Sequence, residues 1–128
     1  MAVRIIQLGS PRGRGEGPRL GTVRRPPRGV PKAEYAKQDW FDVWLPNLAP
    51  STALLRRTPI GVGNWWPAFE KRFTAELKKP DASHLLDALA ALSRATNFSI
   101  GCYCDDERRC HRSVLRRELQ GRGGIIGR

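Results

Sequence analysis

Residues 97–120 form a strand, a polar loop and a helix in succession, and this order limits the fold more than any other feature of the chain. Apolar side chains alternate with small or polar ones over residues 97–104, which is the period of a β-strand. Apolar residues three to four apart over residues 110–120 predict a helix, and Gly121 ends it. A strand that leads into a helix is the repeating unit of α/β folds.

The remainder of the chain continues this alternation. The β-branched run Val3–Leu8 and the shorter segment Leu20–Val23 predict two further strands. Because helical segments separate the strands, we predict an α/β fold with a small, mainly parallel sheet of about three or four strands. We expect one domain over residues 1–120 and a flexible basic tail over residues 121–128.

Three helices are expected between the second and the last strand. Ser51 is a suitable N-cap for a short helix over residues 52–57. Asn64 is expected to cap a helix that Pro80 stops, and Asp81 to cap the next. The aromatic residues of this region are expected in the core, with one tryptophan lining a cleft: Trp40, Phe41, Trp44, Trp65 and Trp66.

The basic residues are concentrated at the two ends of the chain. The net charge is +11, and residues 33–107 contribute none of the excess. If the two ends meet in the fold, they form a positive surface that attracts phosphate groups, on a small molecule or on nucleic acid. The alternative from charge alone is a domain with solvated basic flanks.

The three cysteines do not form a disulfide framework. They all lie between Cys102 and Cys110, an odd number in a short segment. No stretch has the roughly 20 apolar residues of a membrane span, and the first residues lack the pattern of an export signal. We therefore expect a cytoplasmic protein with reduced thiols and no membrane contact.

The loop before the last helix is a candidate binding site for an anion. It follows the carboxyl end of a strand, where open α/β sheets bind ligands. The first turn of the helix offers free N–H groups and a positive dipole end, and the same field lowers the pKa of a thiol at Cys110. Arg112 can bind phosphate oxygens, and His111 can act as an acid or base. This interpretation makes His111 and Cys110 the catalytic candidates.

A metal site is the alternative for the same residues. Cys102 and Cys104 share a face of the strand about 6.6 Å apart, and with Cys110 and His111 they offer the thiolate and imidazole ligands that favour zinc or iron. The spacing differs from that of standard zinc fingers. A third interpretation is plain packing, with Cys102 as a small apolar residue.

Four segments together resemble the YeaO-like family, a bacterial domain of unknown function with the catalogue number 488. The segments are VRRPPRGVPK, WFDVWLPNLAPS, FEKRFTAEL and GCYCDDERRCHRSVLRREL, within residues 23–119. The resemblance implies a small three-layer α/β fold and lends no established activity. It aligns the family's Pro-Arg-Gly turn with residues 27–29, followed by Lys32, and its terminal Cys-His-Arg with residues 110–112. Some relatives carry Asn-His in place of Cys-His, which makes His111 the better candidate for a shared role.

The resemblance also draws attention to the arginines after the second strand. If the second strand and the strand at residues 97–104 are parallel neighbours, Arg24, Arg25 and Arg28 face the same cleft as Arg112. The leading prediction is therefore a phosphate-bearing, nucleotide-like ligand held by Arg24, Arg28, Arg112 and Lys32. The alternatives are a metal-binding protein and a nucleic-acid-binding accessory protein. For Arg28 the simpler alternative is hydrogen bonding to carbonyls of the Leu48–Ser51 turn. Catalysis and oligomeric state stay open.

Overall fold

The computed structural model describes all residues from Met1 to Arg128 and contains one four-stranded sheet. The strands are β1 (Val3–Gln7), β2 (Arg19–Gly21), β3 (Val43–Trp44) and β4 (Phe98–Cys102). Their order is β1-β4-β2-β3, and every neighbouring pair is parallel. The predicted α/β fold with a small parallel sheet is confirmed.

Four α-helices surround the sheet: α1 (Thr52–Arg57), α2 (Trp66–Leu77), α3 (Pro80–Ser93) and α4 (His111–Gly121). Ser51 caps α1 as predicted, because its Oγ accepts a hydrogen bond from the amide of Leu54 at 3.1 Å. Three predicted boundaries are wrong. Trp65, not Asn64, is the N-cap of α2. Pro80 opens α3 instead of stopping α2, since proline fits the first turn of a helix, and Lys79, not Asp81, is the N-cap of α3. None of the helices combines the length and the apolar composition that crossing a membrane requires.

Strand β4 is the centre of the molecule. All five of its residues are buried, because it lies between β1 and β2. The main hydrophobic core joins apolar side chains of this strand to those of the helices, among them Ile100, Phe73, Leu86 and Leu115. A second, smaller cluster contains Leu8, Val23, Phe41, Cys102 and Cys110. Leu8, Val23 and Cys102 stand at or just beyond the carboxyl ends of β1, β2 and β4, so this cluster lies beneath that edge of the sheet.

The Gly- and Arg-rich segment 10–18 is tied to the sheet by a buried ion pair. Glu16 is 4% exposed and Arg19 is fully buried, and the Nε of Arg19 donates to Oε2 of Glu16 at 2.6 Å. The same oxygen accepts a hydrogen bond from Oγ of Ser99 in β4 at 2.8 Å. A buried charge requires such partners, and they hold the loop in place.

The last residues of the chain lie beside β1. The amide of Val3 donates to the carbonyl of Ile125 at 2.9 Å, and the amide of Gly127 donates to the carbonyl of Val3 at 2.8 Å. Ile126 forms a parallel bridge with Val3 and packs against the main core. The sequence predicts a flexible tail over residues 121–128; its mobility in solution stays a prediction, and the contacts described here argue against it.

Candidate functional site

The candidate site lies where two neighbouring parallel strands end. Strand β4 pairs with β2, so the loops that follow Gly21 and Cys102 emerge at the same edge of the sheet. The first loop carries Arg24 and Arg25, and the second leads to α4. Ligands of open α/β sheets bind at this edge, and the fold therefore places the two predicted site segments side by side.

A cleft of about 350 Å³ opens between these loops, a volume within the range of small-molecule sites. Nine of its fourteen lining residues are hydrophobic, so most of a bound molecule would contact apolar surface. The aromatic residues among them are Trp65 and Phe69 near the start of α2, and Tyr103 after β4. Trp65 is the single tryptophan in the cleft, as the sequence predicts. Cys102, Cys110 and His111 also line it.

Cys110 is the N-cap of α4, and its sulfur accepts several hydrogen bonds. The amide and the Nε of Arg112 donate to Sγ at 3.5 and 3.4 Å, and Nδ1 of His111 lies 3.9 Å from it. The pKa of the Cys110 thiol lies well below its ordinary value because the thiols of Cys102 and Cys104 donate hydrogen bonds to it, with His111 contributing in the same direction. Among the three thiols, the pKa is lowered only for Cys110 and is raised for Cys102 and Cys104.

His111 is held by contacts on both sides of its ring. Nε2 contacts the carbonyl oxygen of Thr22 at 2.5 Å, and a carbonyl can only accept, so Nε2 carries a proton. The ring meets Phe73 edge-on, with centroids 5.7 Å apart. In the neutral ring, Nδ1 is then unprotonated and points toward the cysteine sulfurs, where it can accept a proton or bind a metal.

The other two cysteines complete the cluster. The sulfurs of Cys102 and Cys104 are 3.6 Å apart; Cys102 is buried and Cys104 is exposed. Hydrogen bonds to Cys104 and Cys110, together with burial, raise the pKa of the Cys102 thiol. The ligand atoms of Cys102, Cys110 and His111 all lie within 4.8 Å of one another, so this group could hold a metal ion.

Two of the arginines predicted to bind ligand are occupied by protein atoms. The guanidinium of Arg24 donates to the carbonyls of Pro46, Ala49 and Pro50 at 2.9–3.1 Å. Arg112 is 3% exposed, and its Nη2 donates to the carbonyl of Cys104 at 2.6 Å. Arg24 lines the wall of the cleft, whereas Arg112 does not, and the amide of Arg112, predicted to be free for an anion, donates to Cys110 instead.

The other two predicted cations lie outside this cleft. Arg28 is exposed and lines a neighbouring depression, which shares Arg25 and Tyr103 with the cleft. Lys32 lines a third depression beside Tyr35 and Phe41. The predicted ligand set is therefore spread over three hollows, and only Arg24 reaches the wall of the cleft that contains Cys110 and His111.

The set of ligand-binding residues predicted from the sequence leaves out three residues that line the cleft, although Arg25 was expected to face it. Arg25 and Arg109 are exposed at the cleft and form no salt bridge within the chain, unlike Arg24. Burial raises the pKa of Tyr103 to about 12, and its hydroxyl donates to the carbonyl of Arg25 at 3.0 Å. The Arg-Arg pairs at 24–25 and 108–109 were visible in the sequence, but nothing local indicates which member of each pair is free.

The parallel sheet and the cleft at its carboxyl edge define a small α/β domain with a Cys-Cys-His cluster that could hold a metal ion. The chain belongs to the DUF488 (YeaO-like) family: the family model DUF488-N3a, described as the active DUF488-N3 subclade, matches residues 3–123. This confirms the resemblance found in the sequence. No curated protein and no solved structure matches the chain.

Proposed function

We propose that the cleft binds a small nucleotide-like molecule, with its ring system on the apolar wall and its phosphate between Arg25 and Arg109. The observation that carries the proposal is the pair of exposed guanidinium groups at the mouth of a cleft that is otherwise mainly apolar. Guanidinium groups bind phosphate oxygens in a bidentate way. An apolar cleft with a few charged groups selects a ligand with the same two parts.

The aromatic residues of the cleft suit a flat ring. Trp65 contacts Phe69 edge-on, with centroids 5.7 Å apart, and both line the cleft together with Tyr103. Stacking of a base on an aromatic side chain contributes about 1–3 kcal/mol. A base on this wall and a phosphate at the arginines would place the middle of the molecule above Cys110 and His111.

Catalysis at this site stays a prediction, with Cys110 and His111 as the residues that would touch the bound molecule. Two observations favour it. The lowered pKa of the Cys110 thiol suits a nucleophile, and the family to which the chain belongs is described as an active subclade. The site contains no pair of carboxylates that would define a reaction.

Nucleic-acid binding is the alternative, and ion pairs within the chain neutralise part of the basic surface. Ion pairs join Arg12 to Asp42, Arg117 to Glu70 and Arg122 to Asp87. Further pairs join Arg19 to Glu16 and Arg116 to Glu107. The net charge of +11 already counts every carboxylate, so basic side chains without a carboxylate partner stay available to the phosphates of a nucleic acid.

Calorimetric titration of the protein with adenosine 5′-monophosphate, adenosine and inorganic phosphate tests the proposal. The nucleotide should bind at least about tenfold more tightly than either of its parts, because only it contacts both the arginines and the apolar wall. Arg25→Ala and Arg109→Ala should each weaken nucleotide binding by about tenfold, since a hydrogen bond to a charged group contributes about 1.5–3 kcal/mol.

Arg108→Ala is the matched control for Arg109→Ala. Arg108 is its neighbour, and its side chain is 90% exposed and does not line the cleft. Nucleotide affinity should be unchanged in this variant. An equal loss of nucleotide affinity in Arg108→Ala would contradict the proposal and favour binding by general positive charge. Phosphate alone binding as tightly as the nucleotide would also contradict it.

A further inference from the structure

The geometry points to a zinc site in the wall of the cleft, with Cys102, Cys104, Cys110 and His111 as its four ligands. This inference shares Cys110 and His111 with the predicted catalytic role, but it does not depend on nucleotide binding, which rests on Arg25 and Arg109. The cluster that could hold a metal consists of Cys102, Cys110 and His111. Cys104 adds a third sulfur, 3.6 Å from that of Cys102.

The distances between the ligand atoms fit a tetrahedron around zinc. With Zn–S bonds of about 2.3 Å and Zn–N bonds of about 2.0 Å, the edges of a tetrahedron are about 3.8 Å between sulfurs and about 3.5 Å between sulfur and nitrogen. The sulfurs of Cys102 and Cys104 are 3.6 Å apart, and Sγ of Cys110 is 3.9 Å from Nδ1 of His111. The ligand atoms of Cys102, Cys110 and His111 also lie within 4.8 Å of one another.

His111 and Cys110 already make the supporting hydrogen bonds that metal ligands usually have. His111 uses Nε2 to contact the carbonyl of Thr22, which leaves Nδ1 for a metal and fixes the orientation of the ring. A metal-binding histidine almost always has such a partner on its other nitrogen. The sulfur of Cys110 accepts hydrogen bonds from the amide and the Nε of Arg112, as a metal-bound thiolate can.

The charges of the site also balance. Three thiolates and a divalent ion carry one negative charge in excess, and a buried charge requires a counter-charge. Arg112, which is 3% exposed and donates to Cys110 and to the carbonyl of Cys104, supplies it. This assigns a role to a buried arginine that makes no salt bridge with any carboxylate.

The ligand types select zinc among the common divalent ions. Thiolates and imidazole in a tetrahedral arrangement suit zinc, whereas magnesium and calcium require oxygen ligands. Three of the ligands are buried and Cys104 is exposed, so the side of the ion at Cys104 faces the solvent. Cys102, Cys110 and His111 alone would form the three-ligand set of a catalytic zinc.

Metal content measured on untagged protein, purified without added metal and without chelators, tests the site. We expect about one zinc per chain by plasma mass spectrometry, and about a tenth or less in Cys102→Ser and Cys110→Ser. Apoprotein refilled with Co²⁺ should show the visible and near-ultraviolet absorption of a tetrahedral thiolate complex. This second measurement uses the wild-type chain, so it stands even where a serine variant fails to fold.

His84→Asn is the matched control, because His84 is the other histidine of the chain and lies exposed on α3. It should keep a full complement of zinc. Three outcomes would each overturn the assignment. They are an equal loss of zinc from His84→Asn, iron in place of zinc in the wild-type protein, and a Co²⁺ spectrum without a thiolate band. Nucleotide binding by Arg25 and Arg109 is measured separately, so failure of one proposal is distinguishable from failure of the other.

Discussion

Glu16 shows how a single buried carboxylate holds a loop that the composition alone would leave mobile. Burial by itself raises its pKa, but hydrogen bonds from Arg19, the amide of Gly13 and Ser99 outweigh that effect and lower the pKa from 4.5 to about 2. The folded protein therefore keeps this carboxylate ionised under conditions in which the unfolded chain takes up a proton. Glu16 is 4% exposed, so its partners cannot be replaced by water.

Acid should destabilise the protein through Glu16. Because its pKa is lowered in the folded state, its contribution to the free energy of unfolding is complete above about pH 4.5 and declines as the pH falls toward 2. Glu16→Gln should cost on the order of 3 kcal/mol at neutral pH by leaving Arg19 buried without a counter-charge. The variant should also lose this part of the acid dependence. Urea unfolding between neutral pH and about pH 3 measures both effects.

Glu34→Gln is the comparison for that experiment. Glu34 is partly exposed and lies 3.9 Å from the amine of Lys37, a pair that contributes about 0–1 kcal/mol. Its unfolding curve should follow that of the wild type at each pH. If the unfolding curve of Glu16→Gln also followed that of the wild type at each pH, the buried ion pair would have no part in the stability of the fold.

The segment between β3 and α1 depends on a side chain from a distant part of the chain. Arg24 donates hydrogen bonds to three carbonyls of residues 46–50, and Ser51 then caps α1 and contacts Glu76 of α2. The sequence offered this role for Arg28 as the alternative to ligand binding. In the structure Arg24 performs it, and Arg28 lines the neighbouring depression.

A change at Arg24 should therefore reduce stability. Arg24→Lys keeps the charge but cannot reach three carbonyls with a planar fork, so we expect a loss of about 2 kcal/mol in the free energy of unfolding. Arg25→Lys, one residue along, should cost less than about 0.5 kcal/mol, because Arg25 is exposed and makes no salt bridge. Urea unfolding of the two variants tests this, and equal losses would contradict the structural role assigned to Arg24.

Strands and helices with a local sequence pattern could be predicted from the sequence. Features that depend on contacts with residues far along the chain could not. Strand β4 and helix α4 follow from continuous local patterns, and the parallel pairing of β2 with β4 placed Arg24 near Cys110. Val43 and Trp44 form a two-residue strand that is too short to show a period. Arg24 and Arg25 are identical in type, and only the carbonyls of residues 46–50 decide which of them stays free.

At the scale of the whole molecule, charge and topology act together at one edge of the sheet. The loops after β2 and β4 bring arginines from both basic ends of the chain to one cleft, as the sequence predicts. Other arginines of the same ends form ion pairs, such as Arg12 with Asp42 and Arg116 with Glu107. The loops after β2 and β4 thus place two guanidinium groups that form no salt bridge, those of Arg25 and Arg109, at the cleft that contains the thiol–imidazole cluster.

The closing residues of the chain belong to the same cooperative unit as β1. Ile126 packs against the main core, whereas Ile125 is 47% exposed, and the two differ in nothing but position. Ile126→Ala should lower the free energy of unfolding by about 1–2 kcal/mol through lost apolar burial. Ile125→Ala should cost less than about 0.5 kcal/mol.

Urea unfolding of the two variants, with hydrogen exchange at the amides of Val3 and Gly127, measures the attachment of these residues to β1. If the tail is flexible, neither variant changes the free energy of unfolding and both amides exchange fast. If the tail is docked, only Ile126→Ala loses stability. Both amides then exchange slowly, since each donates to a carbonyl across the contact between β1 and residues 125–127.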